Sequence, residues 1–176
     1  MRLVEQLTAY VHAAFAGIWV QTQEPDEAER EILQHARQRQ WHVARWDVAQ
    51  GLRASGQAAP AGSSDPLAPL RAAASLVQDG QTVLVLLHHY HRFLSSPEVV
   101  QHLFTQLVAG KQQRVFFVVL APVVQIPVEL EKLFVVLEHP LPDRVQHERI
   151  ARELTVDSPG DWPADADLQR LLDASS

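Results

Sequence analysis

Four consecutive positions, His88-His89-Tyr90-His91, hold the densest chemistry in this sequence. Imidazole binds zinc, nickel or copper well and magnesium poorly, so His88, His89 and His91 are candidate ligands for a divalent transition metal. If a strand continues through them, His89 and His91 point the same way, and Glu24 is the carboxylate that could approach in space. The competing reading makes them partly exposed histidines at a sheet edge, bonded to neighbouring loops. A second stretch, Thr22-Gln23-Glu24-Pro25-Asp26-Glu27, stands where a phosphate-binding loop would follow a first strand. Such a loop needs glycines whose backbone N–H groups surround the phosphates, a lysine for their charge, and a hydroxyl for magnesium. Here there is no glycine, and three carboxylates already occupy the positive end of the following helix, where they repel a triphosphate. A domain that senses a nucleotide through a nonstandard loop, without hydrolysis, would use Thr22, Gln23 and Glu24 together with Gln125.

Other reaction types find no support. Gly51 and Gly56 have the spacing of a phosphate loop, but Gln57 and Ala58 stand at its lysine and hydroxyl positions, so the segment reads as a linker. No serine sits in a nucleophile elbow, and His147-Glu148 lacks the second histidine of a zinc-protease helix because Ala151 stands there. The chain has no cysteine, which excludes disulfides, thiolate zinc sites and cysteine nucleophiles. No catalytic residue is assigned.

The elements that must position these residues follow from apolar rhythm. Residues 2–14 read as a helix through Leu3, Leu7 and Val11. Gly17–Thr22 (GIWVQT) reads as a strand and Pro25–Arg39 as a helix with Ala28, Ile32 and Ala36 on one face. Residues 41–47 form a second strand, and 50–64, rich in Gly, Ala, Ser and Gln, a loop. Asp65 and Pro66 start a helix whose face is Leu67, Leu70, Ala74 and Val77, ended by Gly80. Residues 82–87 are a strand apolar throughout. Ser95 and Glu98 make a capping box for a helix to about Ala109, its buried stripe being Val99, Val100, Leu103, Phe104 and Leu107. Strands at 114–120 and 134–138 follow, separated by a short helix at 127–133, and a last helix spans 142–154. The expected fold is α/β: a three-layer sandwich with a five-stranded parallel sheet in residues 1–155, then an Asp/Pro/Ala-rich tail at 156–176 with a short helix. In such a sheet the ligand crevice lies beyond the carboxyl ends of the strands.

At 176 residues the chain is long enough for a core, and 47% apolar residues argue against disorder. The net charge of -6 disfavours nucleic acid as a partner. The longest apolar run, 115–124, is half a bilayer span and contains Pro122, so no membrane helix is expected. A soluble, cytoplasmic protein is expected.

The stretch 121–133 (APVVQIPVELEKL), followed by 134–143 (FVVLEHPLPD), resembles the N-terminal region of the large AAA-family ATPases of bacteria, cyanobacteria and algal plastids. Gly17–Thr22 with its acidic continuation, Trp46-Asp47 and His91-Arg92-Phe93-Leu94 extend the resemblance over about residues 3–150. It implies a degenerate ATPase-like (P-loop NTPase-like) domain without a phosphate loop, strand order 5-1-4-3-2, and ATP bound only in a separate module, which the chain, ending at Ser176, does not reach. His89 stands where such relatives tend to carry an aspartate. The expected role is non-catalytic: contacts with an AAA ATPase module or another protein, or with further copies of itself, and no cofactor of its own. The alternatives are a metal- or ligand-binding domain and a nucleotide sensor.

Overall fold

The computed structural model describes residues 2–54, 62–77 and 80–140. The chain divides into a compact unit at Met1–His139 and a second at Pro140–Ser176. The expected helix at 142–154, the boundary at 155 and the tail lie outside the described residues.

Four helices are present among the described residues: α1 (Leu3–His12), α2 (Pro25–Arg39), α3 (Ala68–Leu76) and α4 (Pro97–Gln113). The strands are β1 (Gly17–Thr22), β2 (His42–Asp47), β3 (Gly51–Ala54), β4 (Val83–His88), β5 (Val115–Ala121) and β6 (Phe134–His139). They form one sheet in the order β3-β2-β4-β5-β1-β6. All neighbours run parallel except β3, which pairs antiparallel with β2. The sheet is therefore six-stranded and mixed, which corrects the expected count of five; its order differs from the expected one by β3, while the five parallel strands, numbered among themselves, follow 5-1-4-3-2. The added strand lies at the β2 edge.

That strand falls inside the expected loop at 50–64, and Asp47 accounts for it. Its Oδ1 accepts the backbone N–H groups of Ala49 (2.9 Å) and Gln50 (2.7 Å), closing a tight turn. Gly51 then takes φ 71°, with the side chain of Ser63 packed where a Cβ would stand. Four residues are too few for alternation to show.

Alternation within the sheet separates two cores. Trp19, Val85, Leu87, Phe117 and Val119 face α3 and α4, which contribute Leu70, Ala73, Leu103 and Leu107. Ile18, Val20, Leu84, Leu86 and Val118 face α1 and α2, which contribute Leu7, Val11, Ala28 and Ile32. β4 and β5 are buried on both faces, so their apolar runs carry no alternation.

Smaller differences have local causes. In α3 Ala73 is buried and Ala74 exposed. The N-cap of α4 is Ser96, whose Oγ accepts the N–H of Val99 at 3.5 Å, with Pro97 next, so Ser95 does not cap. α4 continues to Gln113 through Gly110, whose bare Cα lets Val115 and Ala16 approach. Val100 is half-buried and Phe104 is 39% exposed, so neither completes the buried stripe. The expected helix at 127–133 is reduced to a 3-10 turn at Glu131–Leu133. Among the described residues no helix is long and apolar enough to cross a membrane.

Candidate functional site

The five parallel strands end at Thr22, Asp47, His88, Ala121 and His139. Side-chain alternation turns Thr22, Arg45, His88 and His139 toward α2. That helix starts at Pro25, carries Asp26 and Glu27 in its first turn, and buries Ala28, Ile32 and Ala36. Residues flanking this buried stripe reach the strand ends.

Glu29 is one of them. Its Oε1 accepts a hydrogen bond from Arg45 Nη1 at 2.8 Å, and its Oε2 pairs with His88 Nε2. The side chains of Glu29 and His88 are only 15% and 11% exposed. Burial raises the Glu29 carboxyl, but hydrogen bonds and charge from His88 and Arg45 outweigh it and lower the pKa to about 2. The helix is thereby tied to β2 and β4 through one carboxylate.

Glu31 makes a second tie, to β6. Its Oε1 lies 3.6 Å from His139 Nε2, and His139 Nδ1 lies 2.9 Å from Thr22 Oγ1. Thr22 Oγ1 also accepts the Glu24 backbone N–H at 3.0 Å. The Thr22 hydroxyl thus joins the Glu24 backbone to His139, whose Nε2 faces the Glu31 carboxylate. Thr22 is only 2% exposed, so this hydroxyl is an internal bond of the β1–α2 turn.

The remaining cofactor-binding candidates lie at adjacent strand ends without being joined. Gln23 and Glu24 are exposed on the β1–α2 turn. Gln125 is exposed on the loop after β5, which is held from β1: Trp19 Nε1 donates to Val123 O at 3.1 Å and Gln21 Nε2 to Pro122 O at 3.4 Å. Among the described residues no hydrogen bond links Gln125 to Thr22, Gln23 or Glu24.

The histidine run departs from its expected geometry. β4 stops at His88, His89 takes left-handed dihedrals (φ 51°, ψ 28°), and Tyr90–Phe93 is a 3-10 turn. His89 and His91 therefore do not share a strand face. The ring centroids of His88 and His89 are 6.5 Å apart, and those of His89 and His91 6.2 Å. His89 is exposed, whereas His91 is 8% exposed and its Nδ1 has no partner among the described residues. Burial, with help from Arg92 and His89, lowers the His91 pKa. The carboxylate that reaches His88 is Glu29 and not Glu24. Among the described residues no three His, Asp or Glu side chains converge as a metal cage.

An aromatic block sets the backbone reversal after His88. Tyr90 is fully buried, its hydroxyl donates to Pro66 O at 2.5 Å, and burial pushes its pKa up. Trp46 meets Tyr90 and Phe93 edge to face at 5.3 and 5.4 Å, and its Nε1 donates to Ser63 O at 2.8 Å.

Glu29, Glu31, Arg45 and His139 are the members of this site that composition and motif did not single out. Their signal is faint but physical: Glu29 and Glu31 flank Ala28 and Ile32 on a crossover helix. The family model described as SpoVK-like AAA ATPase, N-terminal domain, matches residues 3–139. No curated protein matches the chain.

Proposed function

Because the chain belongs to the family of SpoVK-like AAA ATPase N-terminal domains, we propose that it is a non-hydrolytic member which works through protein contacts, as part or relative of an AAA ATPase. ATP binding and hydrolysis belong, on this reading, to a separate AAA module, and this chain supplies an interaction surface to that module or to another protein.

The β1–α2 turn carries the proposal. A triphosphate there needs free backbone N–H groups, a cation and a hydroxyl. In this turn Glu24 N–H is spent on Thr22 Oγ1, the Thr22 hydroxyl is shared with His139, and Asp26 and Glu27 sit at the positive end of α2. At the end of β4, where phosphate hydrolysis calls for a magnesium-binding aspartate, His88 is paired with Glu29. Repulsion and prior bonding thus act together against the nucleotide.

Calorimetric titration of the chain with ATP and magnesium tests this. No saturable heat and no phosphate release are expected. Binding at micromolar ATP, or hydrolysis above the buffer rate, refutes it.

A further inference from the structure

We propose that a groove between the start of α4 and the turn preceding β6 binds an amphipathic helix of a partner protein, one whose apolar face is flanked by lysine or arginine. This rests on the protein-contact reading above and names the surface and the chemistry of its partner.

The first observation is that α4 has two apolar rows. Val99, Leu103 and Leu107 are buried against the sheet. Beside them Val100, Phe104 and Val108 repeat at the same four-residue spacing, yet Phe104 is 39% and Val108 51% exposed. One row is enough to dock a helix on a sheet, and of the second only Val100 packs against the described core, leaving Phe104 and Val108 without a use there. It runs about 12 Å along the helix, some two turns of a facing helix.

The second observation is shape. Leu94, Pro97, Val100, Gln101, Phe104 and Glu129 line a groove of about 430 Å³. That volume accepts a few apolar side chains, as in helix-in-groove recognition. Val128, next to Glu129 in the chain, is 74% exposed.

The third observation is charge, and it selects the partner. Glu98, near the groove, already lies 3.6 Å from Arg71. Glu129, in the groove wall, forms no ion pair or hydrogen bond among the described residues. Apolar walls with an unpaired carboxylate complement an apolar side chain carried beside a cation. An acidic peptide would meet repulsion at the same place.

The probe is a fluorescent synthetic leucine-lysine amphipathic helix, with a leucine-glutamate counterpart, measured by anisotropy against the whole chain. The leucine-lysine peptide should bind, and Phe104→Gln and Glu129→Lys should each weaken it by about tenfold. Glu5→Lys, the same charge change on α1 across the sheet, should leave it unaltered, and Glu129→Lys should favour the leucine-glutamate peptide. Circular dichroism checks that each variant is folded. The proposal is overturned if the wild-type chain does not bind. It is overturned if Glu5→Lys weakens binding as much as Glu129→Lys does, since attraction to a chain of net charge -6 is then enough. It is equally overturned if sedimentation equilibrium finds a dimer that Phe104→Gln dissociates, because a second copy then fills the groove. A failed groove leaves the nucleotide titration as it was, whereas ATP binding defeats the parent reading whatever the peptide does.

Discussion

Replacing Glu29 by glutamine should remove a pH-dependent part of the stability. The folded carboxyl is lowered from the ordinary 4.5 to about 2. In the unfolded chain it takes up its proton near the ordinary value, while in the folded chain it stays ionised to much lower pH. Between the two the unfolded state binds more protons, so stability falls as pH falls, being fully present above the unfolded pKa and lost toward the folded one. At about 1.4 kcal/mol for each pH unit, the ceiling is about 3 kcal/mol. Solvent screening lowers it, because the Arg45 side chain is 37% exposed, leaving about 1–2 kcal/mol. The assay is urea unfolding from about pH 6 to about pH 2.5, followed by fluorescence of the buried Trp19 and Trp46. Glu29→Gln should be about 1–2 kcal/mol less stable at the upper end, with the gap closing as pH falls. A gap that stays constant through the acid range would refute the reasoning, since Glu29 would then act by shape and not by charge. A double-mutant cycle with Arg45→Met should return a coupling of at least about 0.5 kcal/mol that vanishes in acid.

Two further outcomes concern backbone positions. Gly110→Ala should destabilise although alanine favours a helix by about 0.5–1 kcal/mol: its Cβ would stand 2.5 Å from Val115 O and 3.1 Å from Ala16 Cβ, and crowding of that kind costs about 1–3 kcal/mol. A higher melting temperature for the alanine variant would contradict this. Gln40 closes α2 at φ 57°, so Gln40→Gly should raise stability by about 0.5–1 kcal/mol in the same urea assay, and a loss would contradict the left-handed cap.

Most of the layering was legible because burial on both faces leaves a plain mark. The runs VLVLL in β4 and VFFVVL in β5, short and rich in β-branched and aromatic residues, read as central strands, and Pro25 with Asp26 and Glu27 announces the start of α2. The β3 strand was hidden because its cause is a side chain: Asp47 closes the turn, and four residues beside a Gly- and Ala-rich stretch show no period. Phe104 was misplaced for the opposite reason. Apolar periodicity identifies a residue fit for burial, and on α4 two adjacent rows are fit while the sheet covers one.

At the strand ends the limit is distance along the chain. Motif reading finds groups that are neighbours in sequence, and so it found the histidine run and the acidic turn. The bonds that organise this edge join residues 59 positions apart at His88 and Glu29, and 117 apart at Thr22 and His139. Parallel pairing brings Thr22 level with His139 in register, and strand alternation turns both toward α2. Once that register is known, Glu29 and Glu31 become the expected partners, because each flanks the buried stripe through Ala28 and Ile32. The same step reassigns the carboxylate beside the histidines from Glu24, at the exposed start of α2, to Glu29, nearly a turn and a half further in. A carboxylate whose two oxygens are already engaged by Arg45 and His88 has little left to offer a metal, so the position of Glu29 bears on chemistry and on stability at once.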